Sequence, residues 1–579
     1  MKKNNNGNYT IKNINENVEL YGWVAKKRNL GGVIFIDLRD RSGIIQLIIN
    51  PDNKCYNIAE SLKTEYVIRA VGEIKERTNK NANLPTGDIE VNVKELELIN
   101  TATELPFEIS NSSNVSEELR LKYRYLDIRR DPIKDKMIIR HKAAMAIRDY
   151  LDKNNFIEVE TPILGRSTPE GARDYLVPSR VSKGNFYALP QSPQIFKQLL
   201  MVGGMERYFQ IAKCFRDEDL RADRQPEFTQ VDLEMSFVKE DDIITITEGI
   251  LADVFKKIKN IDLKLPLMRM KYDDAIDNYG SDKPDLRFDM SINDISDLFK
   301  NSDFSIFNDT LNNNGIINCV VAKNCADKFS RKDIEKLTDL VKTYKADNLF
   351  FLKFNEEITG NIAKYTSPSL IDQIKTKLGI NDNDIMFIVC GAKRTTKISL
   401  GALRNRLARI LNLIDENEYK MLWVVDFPSF EYSEEDKRYY AMHHPFTAPK
   451  DEDVDKLIND KGNCYSKAYD IVINGYELGG GSIRIHDAIT QKKMFEALGF
   501  TPEEAEQQFG FMMGAFKYGT PPHGGLAFGL DRLIMLLTNT ENIKDVIAFP
   551  KTASATDLMN ECPNIVDQKQ LDELGIKLK

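Results

Sequence analysis

The stretch 208–235 constrains the fold most, because two strand-like segments enclose a densely charged loop. The first segment, 208–214, is apolar, and the second alternates through Val231, Leu233 and Met235. A period of two residues predicts a β-strand with one buried face. The chain is therefore expected to contain a strand–loop–strand unit whose loop meets either solvent or a charged ligand.

The loop itself has side chains that suit an anionic ligand. It carries three arginines, Arg216, Arg221 and Arg224, and guanidinium groups offer paired donors that match phosphate oxygens. Such a loop suits a polyphosphate. Taken alone, the segment is more typical of a solvated charged hairpin.

The surrounding chain predicts a multidomain α+β protein. A helix is indicated over 134–153, and helices and strands then alternate to residue 289 without a regular βαβ order, which favours an antiparallel sheet. Composition shifts over 291–418 towards Asn, Asp and Lys. Because segments that resemble a ligand site lie on both sides of it, we interpret 291–418 as an inserted α/β domain, with strands near 316–322, 349–354 and 385–390 and helices near 331–343 and 403–413.

The first hundred residues are rich in short β-strands. Five β-rich runs lie between residues 19 and 99, separated by Gly, Asn and Pro turns. They predict a small barrel, with an OB-fold as the leading candidate and another small all-β module as the alternative. The predicted domains are 1–105 (barrel), 106–133 (hinge), 134–290 (first part of the core), 291–418 (insertion) and 419–579 (second part of the core with a C-terminal extension).

Composition narrows the class of protein. The chain has 579 residues, a net charge of −8 and seven cysteines without CxxC pairs, which fits a reducing compartment. No apolar run is long enough for a membrane span, and the polar start carries no secretory signal. We expect a cytoplasmic protein. The negative charge argues against nucleic acid as a bulk partner but leaves room for a local basic surface.

A second segment with possible chemistry lies near the C-terminus. The run GGLAFGLDRL (524–533) predicts a glycine-rich strand that leads into a helix presenting Arg532. Small residues let a nucleotide approach the backbone, and an arginine at a helix start can reach a phosphate. Tight packing is the alternative explanation for such glycines.

Three segments in this order, ETP (160–162), 215–234 and 524–533, resemble the signature motifs of class II aminoacyl-tRNA synthetases. QSPQIFK (191–197), ELGGGSIR (477–484) and GLDR (529–532) are similar to the bacterial-type aspartyl-tRNA synthetases in particular. The resemblance implies an OB-fold anticodon-binding domain, a class II catalytic core, an insertion between motifs 2 and 3, and a homodimer formed through motif 1. It also implies ATP and Mg²⁺, formation of aspartyl-adenylate, and transfer of aspartate to the 3′ end of tRNA(Asp).

The resemblance assigns the nucleotide site residue by residue. Arg216 and Arg532 are the implied catalytic residues. Asp470 and Glu477 are the implied Mg²⁺ ligands, since hard oxygen donors suit this ion; a surface carboxylate is the alternative for each. The residues implied to bind ATP are Arg216, Asp217, Glu218, Gln225, Phe228, Glu477, Gly529, Leu530, Asp531 and Arg532.

The implied aspartate site needs positive charge for the side-chain carboxylate. Lys197 and Arg484 match it, and two cations facing one carboxylate would reject the neutral amide of asparagine. A histidine of MHHPF (442–446) is expected near the substrate, with His443 favoured and His444 as the alternative. The full implied set is Glu170, Ser192, Gln194, Lys197, Arg216, Asp232, His443, His444 and Arg484.

For the tRNA, an OB surface usually reads unpaired bases by stacking and by hydrogen bonds to base edges. The candidates are Arg28, Phe35, Gln46, Arg77 and Asn81. Phe35 could instead be a core residue of its strand, but Asp37 on the same face favours the exposed position. Leu30 resembles the form of these enzymes that discriminates against tRNA(Asn).

Two other classes of function are compatible with parts of the sequence. One is an ATP-dependent amidating enzyme on a class II core, such as a relative of asparagine synthetase, although it has no use for an anticodon-reading barrel. The other is a non-catalytic tRNA-binding or regulatory paralogue. Retention of Arg216, Glu477, Arg484 and Arg532 counts against that second class.

Overall fold

The computed structural model describes residues 5–112, 114–167, 172–218, 220, 223–300 and 302–578. They fall into two compact units, Met1–Ile138 with Lys544–Ile565 and Ile139–Ile543 with Val566–Lys579. Within the described ranges, no helix is both long and apolar enough to cross a membrane.

The first unit contains a closed five-stranded barrel, which confirms the predicted OB-like module. Its strands pair in the order β1-β2-β3-β5-β4, and alternate residues point into the barrel. On β2, Ile34, Ile36 and Leu38 are buried, whereas Phe35 is partly exposed and lies outside the core cluster. The elements are β1 (Asn17–Leu30), β2 (Val33–Asp40), β3 (Gly43–Ile49), α1 (Tyr56–Ser61), β4 (Val67–Glu76) and β5 (Ile89–Asn100).

The predicted basic hinge is a set of helices held by a buried arginine. These are α2 (Glu117–Lys122), α3 (Arg124–Asp127) and the start of α4 (Asp131–Lys153). Arg124 is only 2% exposed and donates to the carbonyls of Lys544, Ile547 and Ala548 at 2.7, 2.8 and 2.9 Å. It also pairs with fully buried Asp127 at 2.7 Å. The hinge therefore fixes residues near the C-terminus to the first unit.

The second unit is built on an eight-stranded sheet in the order β11-β17-β20-β21-β22-β10-β9-β6. The central pairs are antiparallel, as expected, and the two edge pairs β11–β17 and β6–β9 are parallel, so the sheet is mixed. Elements before the insertion are β6 (Ile157–Glu158), β7 (Leu176–Pro178), β8 (Phe186–Ala188), α5 (Gln194–Val202), β9 (Arg207–Phe215), β10 (Glu227–Ser236), α6 (Glu240–Lys259), β11 (Met268–Lys271) and α7 (Tyr272–Tyr279).

The predicted insertion forms a separate five-stranded antiparallel sheet in the order β12-β13-β16-β14-β15. Because side chains alternate along β13 and β16, this sheet supports one hydrophobic cluster on each face. Its elements are β12 (Asn293–Asp294), α8 (Ser305–Asn312), β13 (Ile316–Ala322), α9 (Arg331–Thr343), β14 (Phe350–Phe354), β15 (Ile358–Thr359), α10 (Pro368–Leu378), β16 (Asp384–Gly391) and α11 (Lys393–Ile410).

The bounds of α11 differ from the helix predicted over 403–413. The helix begins ten residues earlier and includes polar and β-branched residues such as Thr396 together with Gly401, which have low helix propensity. These positions are buried against neighbouring elements. Tertiary packing therefore overrides local propensity here.

After the insertion the chain completes the eight-stranded sheet. The remaining elements are β17 (Met421–Val425), β18 (Phe430–Ser433), β19 (Arg438–Ala441), α12 (Lys456–Asn459), β20 (Ala468–Ile473), β21 (Tyr476–Ile483), α13 (Ala488–Ala497), α14 (Pro502–Phe516), β22 (His523–Gly529), α15 (Leu530–Leu537) and α16 (Gln568–Leu574). Strands β10, β21 and β22 become neighbours, which brings together segments distant in the sequence.

Candidate functional site

A cavity of about 500 Å³ lies over the central strands of the second unit. Residues from most of the motif-bearing segments line it, but ETP (160–162) contributes none. Those also predicted from the sequence are Ser192, Gln194, Lys197, Arg216, Glu218, Gln225, Phe228, Asp232, His443, His444, Asp470, Glu477, Arg484, Gly529, Asp531 and Arg532.

Four paired buried charges lie at one end of the cavity, and three of them line it, whereas Glu234 does not. Lys197 on α5 donates to Asp232 Oδ1 at 2.6 Å and lies 3.3 Å from Glu234 Oε2, both on β10. Arg484, just after β21, donates through Nε and Nη2 to the two oxygens of Glu234 at 2.9 and 3.2 Å. The exposed fractions are 1% for Lys197, 0% for both acids and 5% for Arg484. We call these four residues the buried charge cluster.

The sequence predicted that Lys197 and Arg484 would face the ligand as two free cations, but the structure pairs both with carboxylates. Each cation already has a protein carboxylate, so positive and negative charges balance within the group. Burial opposes ionisation of Glu234, but the attraction of Arg484 and Lys197 outweighs it and lowers the pKa of Glu234. At Asp232 burial dominates over the attraction of Lys197 and raises the pKa. The cations are thus held in place, and a ligand must meet their remaining N–H groups.

Asp232 and Gln194 retain polar atoms aimed at the cavity. Within the described ranges, Asp232 Oδ2 and Gln194 Nε2 are buried without a hydrogen-bond partner. A buried polar atom without a partner costs free energy, which a ligand can recover. One acceptor and one donor beside Lys197 suit a ligand that carries both an ammonium and a carboxylate. Ser192 lines the same part of the cavity.

The two adjacent histidines differ electrostatically. Burial disfavours the charged form of His443, but Asp470, 3.3 Å from its Nε2, together with Glu477 and Asp282 raises its pKa. Burial, with Arg484 and Lys197, lowers the pKa of His444 to about 3.

Each histidine keeps one nitrogen for a ligand. His444 Nδ1 accepts the N–H of Phe446 at 3.3 Å, so Nε2 carries the proton. His443 Nδ1 and His444 Nε2 have no hydrogen-bond partner in the described part of the chain. His443 can therefore carry charge while His444 acts as a neutral donor.

Asp470 and Glu477 face the cavity from the neighbouring strands β20 and β21. Asp470 lies opposite Gly480, where a Cβ would come within 2.1 Å of Asp470 Oδ1. The glycine thus leaves room for this carboxylate. No group of three or more His, Cys, Asp or Glu residues among those described is arranged to hold a metal. Two carboxylates beside a phosphate site fit Mg²⁺, which usually takes one or two carboxylates and completes its shell with water and phosphate oxygens.

The charged loop after β9 lines the part of the cavity that the sequence predicts to bind a nucleotide, which we call the nucleotide end. The Arg216 guanidinium lies 5.2 Å from the centre of the Phe228 ring, and Arg216 Nε is buried without a hydrogen-bond partner within the described ranges. Glu218 accepts from Arg224 at 2.8 Å. An aromatic face beside a guanidinium group can hold a base and a phosphate.

The glycine-rich strand places only part of its predicted set at the cavity. Arg532 donates to the carbonyl of Glu477 at 2.5 Å, and its Nε lacks a hydrogen-bond partner among the residues described. Asp531 is 2% exposed and contacts Arg140 on α4 and the Thr229 N–H at 2.5 and 2.7 Å. Asp531 lines the cavity, and its two carboxylate oxygens are already bonded to other segments of the second unit. Leu530 is buried in the core and does not line the cavity.

Of the remaining predicted residues, Asp217 is the described one that the structure does not bring to the site. Asp217 does not line the cavity; its N–H donates to the Arg173 carbonyl at 3.0 Å, and its carboxylate lies 3.8 Å from Arg173 Nε. Glu170 and Arg221 lie outside the described residues.

A polar network lies on the barrel of the first unit, outside its core. Arg28 donates to Asp37 at 2.7 Å and to Gln46 at 3.2 Å. Arg77 donates to the same Gln46 oxygen at 2.5 Å, and Gln46 donates to Glu90 at 2.7 Å. Phe35 pairs with Arg28 across β1 and β2. Asn81 is separate from this network, since its side-chain oxygen accepts the N–H of Asn83 at 3.1 Å.

Sequence reasoning missed Glu234, the partner of both buried cations. The signal was present, because Glu234 follows Asp232 by two residues and so shares its strand face. Gly525 opposite Glu234 is part of the same arrangement: a Cβ there would lie 2.0 Å from Glu234 Oε2. Asp37 and Glu90 of the barrel network were also not predicted as functional residues.

Comparisons with known proteins give matches over most of the chain. The model of "tRNA synthetases class II (D, K and N)" matches residues 116–553, and that of "OB-fold nucleic acid binding domain" matches residues 18–99. Proteins named aspartate–tRNA ligase are 53% identical in Macrococcus caseolyticus over 570 residues and 52% identical in Staphylococcus haemolyticus over 572 residues. Both alignments cover 98% of this chain, with 96% and 97% of the relative.

Solved structures share the fold at low sequence identity. The asparaginyl-tRNA synthetase of Pyrococcus horikoshii complexed with asparaginyl-adenylate superposes with a TM-score of 0.57 at 18% identity, covering 93% of this chain and 96% of that chain. The aspartyl-tRNA synthetase of Entamoeba histolytica has the same TM-score and identity, covering 93% and 89%. At this identity the comparison concerns the fold alone.

Removal of Glu234 should destabilise the second unit strongly. Glu234→Ala leaves two buried cations with one carboxylate, and breaking a buried ion pair costs about 3–5 kcal/mol. We expect a loss of that size in the free energy of unfolding, measured by urea denaturation. Glu227→Ala on the same strand is the control, because its carboxylate is 44% exposed and only 3.4 Å from Lys213; its loss should stay below about 1 kcal/mol. Equal losses would contradict this view of the cluster.

Proposed function

The chain belongs to the class II tRNA synthetases of the D, K and N type, and from this membership we propose that it is an aspartate–tRNA ligase. It activates L-aspartate with ATP to aspartyl-adenylate and pyrophosphate, and then transfers aspartate to the 3′ end of tRNA(Asp). Because charged tRNA serves protein synthesis, we place the enzyme in the cytoplasm.

One observation carries the proposal: the buried charge cluster lies in the same cavity as the arginines of the nucleotide end. A small amino acid with one ammonium and two carboxylates needs charges of both signs within a few ångströms. The phosphates of ATP need cations only. The cavity offers these two kinds of surface side by side, as formation of an adenylate requires.

Aspartate is recognised at the cluster. The Asp232 Oδ2 atom accepts from the substrate ammonium, with Ser192 and Gln194 beside it. The remaining N–H groups of Lys197 and Arg484 bind the side-chain carboxylate, and Glu234 fixes their direction. Asparagine would turn an amide N–H₂ towards these donors, and the unpaired groups would cost binding free energy. At the same wall of the cavity, His443 adds a cation and His444 adds a neutral N–H donor.

The reaction requires little covalent work from the protein. The aspartate α-carboxylate attacks the α-phosphorus in line, and Arg216 contacts both groups, so charge that develops between them is stabilised. Phe228 stacks on the adenine, with Gln225 and Glu218 at its edge, and Arg532 meets the γ-phosphate. Asp470 and Glu477 would hold Mg²⁺, which supplies positive charge to the phosphate oxygens.

Pyrophosphate exchange tests this function directly. With ATP and magnesium, we expect pyrophosphate exchange that depends on aspartate. The exchange rate with asparagine, glutamate or lysine should be lower by about a hundredfold or more. Asparagine and lysine leave the donors of Lys197 and Arg484 without a carboxylate, and the extra methylene of glutamate displaces its carboxylate from those donors. Folded protein that exchanges with no amino acid would instead favour the regulatory class.

The barrel is proposed to read the anticodon by stacking on Phe35, with Arg28, Gln46 and Arg77 at the base edges. Phe35→Ala should raise KM for tRNA(Asp) by about tenfold, since one stacked base contributes about 1–3 kcal/mol, while aspartate-dependent exchange stays unchanged. Val33→Ala, on the same strand face, is the matched control.

The residue at position 30 bears on the choice of tRNA. Because Leu30 is 63% exposed and resembles the discriminating form, we expect poor charging of tRNA(Asn) in the same assay. Comparable charging of both tRNAs would refute that expectation.

A homodimer is proposed through the region of the first motif. Met145, Ile157, Ile163 and Leu164 are 43–52% exposed within a short stretch, and a second copy would cover them. Sedimentation velocity should give a dimer that Ile157→Asp shifts towards monomer, because a buried carboxylate without a partner is costly. Lys264→Asp, at an exposed position elsewhere, should leave the dimer intact. A monomeric unmodified protein would contradict the proposal.

A further inference from the structure

The loop that follows α7 borders the cavity but has no assigned role. Asp282 lines the cavity, and the Nζ of Lys283 lies 3.9 Å from Oε2 of Glu477. The Lys283 side chain is 46% exposed, so it is a cation at the rim and not part of a closed ion pair. Its ammonium remains accessible to a ligand that enters beside Glu477.

The position of Lys283 relative to Arg532 indicates which part of the ligand it contacts. Arg532 Nη1 donates to the backbone carbonyl of Glu477, and Lys283 approaches the side chain of the same residue. The two cations therefore flank Glu477 at the open end of the cavity. The buried charge cluster, 0–5% exposed, forms the closed end. An extended ligand with its amino acid at the closed end would leave its phosphate tail at the open end.

The side chain of a lysine is suited to binding this phosphate tail. Its ammonium is a compact charge with three rotatable donors, and it binds phosphate oxygens without the fixed geometry of arginine. The terminal phosphates of ATP move as pyrophosphate departs. A mobile cation beside Arg532 can stay bound to them through that step.

Both ends of the Lys283 loop are held by α11 of the inserted domain. Before the loop, Lys397 donates to the Asp277 carbonyl at 2.7 Å. After the loop, Arg404, 1% exposed, donates to the Asp285 carbonyl at 2.7 Å and to the carbonyl of Met290. The same helix thus fixes the entry and the exit of the loop.

A contact between two glycines completes this attachment. A Cβ on Gly280 would lie 2.0 Å from the Lys397 carbonyl, and one on Gly401 would lie 2.6 Å from the Tyr279 carbonyl. The end of α7 and the middle of α11 therefore touch through their backbones. The loop cannot change its path unless the inserted domain moves or this contact opens.

We propose that Lys283 binds the β- and γ-phosphates of ATP and the departing pyrophosphate, and that α11 of the inserted domain positions the loop that carries it. The inference rests on the proposed function for the orientation of the nucleotide. It assigns the inserted domain a part in the nucleotide site, although α11 itself contributes no residue to the cavity lining within the described chain.

Calorimetric titration of the full-length protein with magnesium tests Lys283, using pyrophosphate, ATP and AMP as separate probes. Lys283→Met should weaken binding of pyrophosphate and ATP by about tenfold, the effect of one charge-assisted contact, and leave AMP binding within about twofold. Lys283→Arg should recover most of the loss. Lys264→Met, at an exposed position away from the cavity, is the control and should match the unmodified protein.

Two results would overturn the role of Lys283. Unchanged pyrophosphate binding in Lys283→Met would show that Lys283 does not contact pyrophosphate. An equal loss of affinity for AMP would mean that the substitution had displaced the loop. Neither depends on amino-acid activation. If the unmodified protein exchanges pyrophosphate with aspartate while the Lys283 prediction fails, only this inference falls; if exchange fails while the binding pattern holds, only the proposed function falls.

A second variant tests the role of α11. Gly401→Val should separate α7 from α11 and reproduce the selective loss for pyrophosphate and ATP, and adding Lys283→Met should weaken binding no further. Retained AMP binding shows that the core is folded. Arg406→Val, on the exposed face of α11, is the control for a β-branched residue in this helix. Pyrophosphate binding at the unmodified level in Gly401→Val, or additive losses in the double variant, would overturn the positioning role.

Discussion

The buried charge cluster is the interaction on which the second unit depends. Two cations and two carboxylates, all nearly inaccessible to water, repay their desolvation only while their geometry is maintained. That geometry requires α5, β10 and β21 to meet in one register, with Gly525 on β22 leaving space for Glu234. The central sheet and the proposed aspartate subsite are therefore one arrangement. The carboxylates direct the N–H groups of Lys197 and Arg484, so these donors have fixed directions as well as charge.

The inserted domain interrupts the catalytic core in sequence, yet it is packed against that core through α7 and α11. Arg404 and Lys397 bind backbone carbonyls on both sides of one short loop, and two glycines allow the helices to touch. Backbone contacts of this kind transmit position accurately because few rotatable bonds lie between them. The rim of the nucleotide end thus depends on residues more than a hundred positions away in the sequence.

On the barrel, too, carboxylates fix the direction of polar side chains, here at a partly exposed surface. Asp37 and Glu90 orient Arg28 and Gln46 through hydrogen bonds of 2.7 Å. Burial raises the pKa of Asp37, with Arg28 and Arg77 opposing it. Phe35 lies beside this network because its strand places Ile34 and Ile36 in the core and turns Phe35 outward. A partly exposed aromatic ring next to oriented polar groups suits the binding of an unpaired base.

The sequence by itself determined the elements with a clear period and the segments that carry chemistry. The barrel strands, the strand 316–322 and the helix 331–343 were predictable because their burial alternates with a local period. The segments containing Lys197, Arg216, His443 and Arg484 were recognisable, and the cavity gathers them. Only the tertiary structure decided their partners: Glu234 pairs with both Lys197 and Arg484, Asp531 pairs with Arg140, and α11 begins ten residues early against α7. These outcomes depend on desolvation and on contacts between distant residues, which no local pattern encodes.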